Sequence, residues 1–316
     1  MSLFLLKRLL TLIATLMGAS AVIFLALEIL PGNAAQMLMG PDAPPEAIAA
    51  LAVKLGLNQP AWARYGHWIA GLLRGDLGLS YAYGLPVIEL VRERLALTVP
   101  LALLAMALSA VLAMLVGVGA AARHGKFGDA ALMGLAQIGM AIPNFWFAML
   151  LIALFSVHLH WFSAGGFTGW EQGLWLSLKA LLLPALSLAV VQGAILARIT
   201  RASALEVMRE DFVRTARAKG VSERKVLFKH VLRNALIPVV TVMGMQFAEL
   251  LAGAIVVENV FYLPGLGRLI FESIGNRDLI VVRNCVMLLV TMVVLVNFAI
   301  DVLYAVIDPR IKTREL

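Results

Sequence analysis

Two carboxylates stand inside long apolar runs: Glu249, between Ala235 and Val257, and Asp301, between Asn284 and Ile307. A carboxylate in mid-membrane costs on the order of 2.5–3.5 kcal/mol on insertion scales, so each must face protein or a water-filled path. An intramembrane protease or lipid transferase would need a nucleophile beside a base, or converging acidic metal ligands. No apolar run holds a Ser/His pair, and the two carboxylates are far apart in sequence. His67, His158 and His160 have no third ligand at metal spacing, so no metal site is expected. Cys285 lies in an apolar run and reads as an inert buried thiol. What remains is positioning rather than catalysis. Gln246 precedes Glu249 by one turn and Gly253 follows by one turn, which suits a translocation pathway, a subunit interface or a hydrogen bond between helices. Asp301 and Asn297 share a helix face and suit structural bonding. Pro143, Asn144 and Trp146 mark a kink in another apolar run, a second place where a solute could meet freed backbone carbonyls.

The elements that position these residues follow from composition. Of 316 residues 61% are hydrophobic and 14% are charged, against roughly 25% charged in soluble domains. A disordered chain, a disulfide scaffold and an ordinary soluble enzyme are excluded. Six stretches are long enough to cross about 30 Å of hydrocarbon: Leu9–Leu27, one within Leu95–Ala122, one within Ala130–Val157, Ala180–Ala197, Ala235–Val257 and Asn284–Ile307. The first is too long for the apolar core of a signal peptide and lacks a small-residue cleavage site, so it reads as a retained helix. Seventeen of the 26 Lys and Arg residues fall on the side shared by the two termini, ten of them between Arg198 and Arg233. That asymmetry places both termini in the cytoplasm, and it accounts for the net charge of +7 without a nucleic-acid partner. The expected fold is an all-α polytopic membrane protein with six transmembrane helices.

The first outer loop, residues 31–94, is too long for a bare connection. Pro44-Pro45-Glu46 opens a short helix that stops at Gly56, and Pro60 is placed as the first residue of another. On the latter, Trp62, Tyr65, Trp68, Ile69, Leu72 and Leu73 recur at helical spacing, which suits a helix lying on the bilayer, a platform for an outside partner, or both. Val87–Leu95, with Glu89, Arg92, Glu93 and Arg94, reads as a charged lead-in to the second span.

The inner loop, residues 198–234, interleaves its basic residues with apolar ones at helical spacing. Asp211, Phe212, Val213, Arg214, Thr215, Ala216, Arg217, Ala218 and Lys219 form one amphipathic helix, which Gly220 stops. Ser222 is placed to cap a second helix from Glu223. Such a helix between two spans either transmits force to a partner or rests on anionic headgroups.

Asp211-Phe212-Val213-Arg214-Thr215-Ala216-Arg217-Ala218-Lys219-Gly220 resembles the EAA loop of ABC importer permeases, in the dipeptide, oligopeptide, glutathione and nickel branch. The resemblance extends along the chain through Leu30-Pro31-Gly32, Leu55-Gly56-Leu57-Asn58-Gln59-Pro60, Gly75-Asp76-Leu77-Gly78-Leu79-Ser80, Ile142-Pro143-Asn144-Phe145-Trp146, Pro264-Gly265-Leu266-Gly267-Arg268 and Asp308-Pro309-Arg310-Ile311. Where the broad consensus has Glu-Ala-Ala, this chain has Arg214, Thr215 and Ala216; where relatives often have Asp-Pro after Pro-Gly, it has Asn33 and Ala34.

The resemblance implies a transport subunit, not an enzyme, of the bacterial inner membrane. It would import a di- or oligopeptide or a glutathione-like solute by alternating access, with nickel or a metal chelate as the alternative cargo. Residues 1–30 would be the first span, 31–94 the periplasmic loop, 95–307 the type-1 transmembrane domain and 308–316 a cytoplasmic tail. The helix around Phe212–Gly220 would be the coupling helix. Phe212 and Val213 would anchor it in an ATPase groove, and Arg214, Arg217 and Lys219 would meet acidic rims. The chain has no Gly-x-x-x-x-Gly-Lys-Ser/Thr loop, so ATP and Mg would belong to partner subunits. The implied partners are a homologous second permease, two ATP-binding subunits and a periplasmic binding protein, the last docking near Trp62, Tyr65, Asp76, Pro264 and Arg268.

Overall fold

The computed structural model describes residues 2–29, 34–40, 43–54 and 56–307. The Leu30-Pro31-Gly32 motif with Asn33, Leu55, and the Asp308-Pro309-Arg310-Ile311 end with the tail 308–316 lie outside the described residues. Twelve helices and one 3-10 turn, Trp170–Gln172, and no strand occur among the described residues. They are α1 (Ser2–Ile29), α2 (Ala34–Met39), α3 (Pro45–Lys54), α4 (Ala61–Arg74), α5 (Val87–Ala122) and α6 (Phe127–Ala141). Then follow α7 (Asn144–His158), α8 (Leu174–Val207), α9 (Asp211–Ala218), α10 (Glu223–Val260), α11 (Leu266–Gly275) and α12 (Leu279–Ile307).

Five helices are long and apolar enough to cross a membrane: α1, α5, α8, α10 and α12. The sixth expected span is not a single helix. α6 and α7 meet at 102°, a broken span or a re-entrant pair. The break has a local cause. Ile142 precedes Pro143 and takes extended dihedrals (φ −84°, ψ 123°), because the proline ring disfavours the helical region for its predecessor. Pro184, by contrast, stays within α8, which runs unbroken for 34 residues. Both lead-ins are continuous with their spans: Val87–Leu95 is the start of α5, and the helix from Glu223 runs through a π-helical stretch, Val226–Val231, into α10.

The described residues fall into two compact units, those up to Thr98 together with those from Pro264 onward, and Val99–Leu263. In the first, α1 runs along α12, and α11 also lies on α12. Its core joins Val87, Leu90 and Val91 of α5 to Leu266, Leu269 and Ile270 of α11 and to Val281 and Cys285 of α12. A second cluster joins Phe24 of α1, Trp68 of α4 and Met287 of α12. Pro60 is the residue before α4 rather than its first, and α4 ends at Gly75, whose φ of +77° breaks the helix.

In the second unit, α8 is the central element, packed by α5, α6, α7 and α10. Small residues let these helices approach closely, as membrane interfaces favour. A Cβ on Gly117 would lie 2.5 Å from the Ala197 carbonyl oxygen and 2.8 Å from Thr200 Cβ. One on Gly193 would lie 2.9 Å from Leu112 Cβ.

Candidate functional site

The amphipathic inner-loop helix is α9. Glu210 precedes it in an extended conformation, and Asp211 puts a carboxylate in its first turn, where the helix dipole favours negative charge. Lys219 terminates it and Gly220 takes φ +76°, a conformation that glycine adopts without strain. Val213 (0% exposed) and Ala216 pack into a core with Ala121, Ala204, Val226, Val231 and Ala235. Phe212, 43% exposed, points away from that core. This corrects the expectation that Phe212 and Val213 form one anchor. Burial assigns them opposite duties: Val213 fixes α9 to its own chain, and Phe212 stays on the surface. Arg217 is also engaged at home, donating through Nε (2.9 Å) and Nη2 (3.2 Å) to the carboxylate of Glu223. Arg214 reaches Asp211 at 3.4 Å, an exposed pair of little weight. Thr215, Lys219 and Gly220 are exposed.

At the start of α6 lies an ion pair that sequence reading did not find. Arg201 of α8 donates from Nε to Asp129 Oδ1 (2.6 Å) and from Nη2 to Oδ2 (2.7 Å). Asp129, in the first turn of α6, is 5% exposed; the Gly125 N–H donates to it, and His124 Nδ1 lies 3.2 Å away. The two-pronged contact ties the start of α6 to α8 three residues before Ala204, which belongs to the α9 core. The partners are 72 residues apart, so no local spacing announces the pair.

Within the spans of this unit, Gln192 of α8 donates from Nε2 to Glu249 Oε2 of α10 at 3.2 Å. Glu249 is exposed on the chain, whereas Gln192 and Gln246 are 5% and 4% exposed. Among the described residues, Gln192 Oε1, both amide atoms of Gln246 and Asn144 Oδ1 are buried without a partner. Such groups cost about 1–3 kcal/mol each when left unsatisfied in an apolar setting. Asn144 belongs to the same neighbourhood: a Cβ on Gly253, one turn beyond Glu249, would lie 3.3 Å from its Nδ2. Sequence-chosen Asn144 therefore lies on a helix beside the one that carries Gln246 and Glu249, and Glu249 is bonded by Gln192 of α8, which sequence reading missed. Pro143 and Trp146 remain exposed at the head of α7. The side chain of Asp301 lies outside the described residues.

The first unit joins the outer-loop motifs. Ser80 Oγ donates to Asp278 Oδ2 at 2.5 Å, and the Ala82 N–H donates to the same oxygen. Asn284 Nδ2 donates to the Leu77 carbonyl and its Oδ1 accepts from Trp68 Nε1 at 2.9 Å. Arg268 Nε donates to Glu272 Oε1 at 2.7 Å, and the Tyr83 hydroxyl donates to Glu272 Oε2. The Tyr83 phenol is raised above its ordinary range, first by burial and then by the Glu272 carboxylate. Trp62 (77%) and Asp76 are exposed, and Pro264 and Arg268 are half-buried. Tyr65 departs from the expected outer face. It packs edge-on against Phe24 and Trp68, and its hydroxyl lies 2.8 Å from Ser20 Oγ, because the aromatic face of α4 covers α1.

His158 is exposed, and His160 Nδ1 lies 3.1 Å from the Ser156 carbonyl oxygen. No group of three His, Cys, Asp or Glu side chains able to hold a metal occurs among the described residues.

Known proteins with this sequence pattern are transport components. The model of the binding-protein-dependent transport system inner membrane component matches residues 113–313, and the model of its N-terminal part matches residues 1–102. A putative peptide transport system permease protein of Brucella abortus is 41% identical over 312 residues, 99% of each chain. The dipeptide transport system permease protein DppB of Alkalihalophilus pseudofirmus is 39% identical, covering 97% of this chain and 98% of its own. The glutathione transport system permease protein GsiC of Escherichia coli is 42% identical over 309 residues, 98% of both. Among solved structures, a chain of the methionine ABC transporter MetNI in inward-facing conformations matches with a TM-score of 0.58 at 18% identity. That match covers 69% of this chain and 96% of the other, and it bears on the fold alone. With apolar helices enough for a multi-pass membrane protein and a family model matched across most of its length, the chain belongs to the binding-protein-dependent transport system inner membrane components, the inner-membrane permeases of ABC importers.

Proposed function

We propose that this permease imports a small peptide-like solute, a di- or oligopeptide or a glutathione-like molecule, across the bacterial inner membrane by ATP-driven alternating access. The observation that carries the reading is the end-to-end likeness, 39–42% identical over 97–99% of the chain, to permeases named for peptide, dipeptide and glutathione transport. Both termini face the cytoplasm in this reading, as the Lys and Arg distribution demands. A homologous second permease completes the pathway, two ATPase subunits supply the energy, and a periplasmic binding protein delivers the solute. Nickel or a chelate has no feature of its own in its favour.

The parts take these roles. α9 is the coupling helix, with Phe212 entering a groove of the ATPase and Asp211, Arg214, Thr215, Arg217 and Lys219 around it. Val213 and Ala216 make it move as one body with the ends of α8 and α10. Closure of the ATPase pair would move α9 and switch the side to which the spans open. Glu249 lines the pathway or the contact with the second permease, supported by its exposure in the otherwise uncharged stretch Ala235–Val257 and by the unsatisfied amides of Gln246, Gln192 and Asn144. Trp62, Asp76, Pro264 and Arg268 receive the binding protein.

The test is purification from native membranes in mild detergent, identification of what comes with the chain, and reconstitution of that complex in liposomes. ATP-dependent uptake of labelled dipeptide or glutathione supports the reading. A complex with ATPase subunits that takes up nickel but neither peptide nor glutathione, or a chain recovered without any ATPase in several detergents, overturns it.

A further inference from the structure

The first unit contains a cavity of about 440 Å³, at whose exposed side stands Asp76. Its walls include Phe24, Leu27 and Glu28 of α1, Arg64 and Trp68 of α4, and Arg283 of α12. Glu28 is the second-last residue of α1, and Arg283 stands four residues into α12. At 1.5 Å per residue, Arg283 is roughly 6 Å from the helix start. Both are therefore at the ends of their spans, at the depth where headgroups meet hydrocarbon.

At that depth Arg283 lacks an acceptor of its own. Arg283 is half-buried and makes no hydrogen bond or ion pair among the described residues; its Nε is inaccessible and unpartnered. Its guanidinium carbon lies over the Trp68 ring, 4.6 Å from the ring centre. Trp68 is itself fixed through its Nε1 to Asn284. The titratable neighbours of Arg283 are the Tyr81 phenol, which also lines the cavity, then Arg64 and Glu28. Arg64 donates to Glu28, yet its Nε is also buried without a partner. Glu28 thus serves Arg64, and Arg283 has no ion-pair partner among the described residues. Asp76 lines the cavity from its exposed side, with Oδ1 accepting the Gly78 N–H. A guanidinium held from water without an acceptor is costly, and its planar fork matches a phosphate. Apolar walls below and paired donors above describe the two ends of a phospholipid.

We propose that this cavity holds the phosphodiester of a phospholipid, with Arg283 as the principal donor, Arg64 as the second, and the acyl chains running along Phe24 and Leu27 of α1. A soluble phosphate would satisfy the same guanidiniums but would leave the apolar wall wet, so the lipid is the better occupant.

The experiment uses the whole complex in mild detergent. Native mass spectrometry counts retained phospholipid in wild type, Arg283→Gln, Arg283→Lys and, as a control outside the cavity, Arg74→Gln. Delipidated protein is then titrated with phosphatidylglycerol in mixed micelles or with inorganic phosphate, read by thermal stability. Expected are wild-type retention in Arg74→Gln, about tenfold weaker retention in Arg283→Gln, and a partial loss in Arg283→Lys, which keeps the charge but not the fork. Retention equal to wild type in Arg283→Gln overturns the proposal. So does stabilisation by inorganic phosphate equal to that by the lipid, which would make this a soluble-anion site. Unchanged lipid retention with lost stimulation by the binding protein would make it a protein contact, and also overturns it. If neither Arg283 variant folds, a photoactivatable phosphatidylglycerol on wild-type protein decides. Cross-links at Phe24–Glu28 or Leu279–Arg283 support the site, and their absence there refutes it.

Discussion

The opposite burial of Phe212 and Val213 can be separated by experiment. Val213 has no exposed surface and sits in the core shared by α8, α9 and α10. Val213→Ala removes two carbon groups at about 0.8 kcal/mol each and leaves a cavity worth about 1 kcal/mol more. The chain should lose about 2–3 kcal/mol, seen as a lower Tm in detergent, with α9 detached from its spans and transport lost with it. Phe212→Ala is different. With 43% of Phe212 exposed, the surface left for a partner is roughly two-fifths of a residue worth about 1.5–3 kcal/mol on full burial. The expected loss is about 1 kcal/mol of ATPase affinity, near fivefold, with little change in the Tm of the isolated chain. The assay is a pair: thermal unfolding of the purified permease, and titration of the same protein with its ATPase subunit. A Val213→Ala protein of wild-type Tm but weakened ATPase binding, or a Phe212→Ala protein whose Tm falls while ATPase binding is unchanged, would refute this division of roles.

Gly220→Val should leave membrane insertion intact and uncouple ATP hydrolysis from uptake. No atom crowds the new side chain, but φ +76° costs a residue with a Cβ about 1–2 kcal/mol; normal coupled uptake would argue against α9 as the lever. Asp129→Asn should destabilise the second unit by about 3 kcal/mol, the low end for a broken buried pair because Arg201 keeps 26% of its side chain exposed. Combining it with Arg201→Gln should restore part of the Tm, and strict additivity of the two losses would show that the contact carries little. Gly117→Val forces a Cβ 2.5 Å from the Ala197 carbonyl, so α5 and α8 must part; an overpacking loss of about 1–3 kcal/mol is expected in the Tm. Glu249→Gln keeps an acceptor for Gln192 and should change Tm by no more than about 0.5 kcal/mol in equivalent stability, while uptake by the reconstituted complex falls; unchanged uptake would take Glu249 out of the pathway.

The long apolar helices, the amphipathic α9 and its glycine stop were legible in the sequence because each is local. Apolar length, helical spacing and a residue free to take positive φ are properties of neighbours in the chain. The break at Pro143 was half legible. A proline announces a perturbation, but whether the helix bends or turns through 102° depends on what surrounds it, and Pro184 stays inside an unbroken helix. The pairing of Asp129 with Arg201 and the meeting of Ser80 with Asp278 were not legible, since the partners stand 72 and 198 residues apart.

By itself the sequence determined the membrane class, the number of apolar stretches, the position of α9 and the family, because hydrocarbon demands length and apolarity within a single segment. Only the tertiary structure decided which face of each helix is used. It turned Val213 inward and Phe212 outward, laid Tyr65 against α1 instead of an outside partner, and brought Gln192 to Glu249. It also left Arg283 over Trp68 without an acceptor at the edge of a cavity. Helical periodicity states which residues share a face; what that face meets is set by packing between segments remote in sequence, and there the sequence alone is silent.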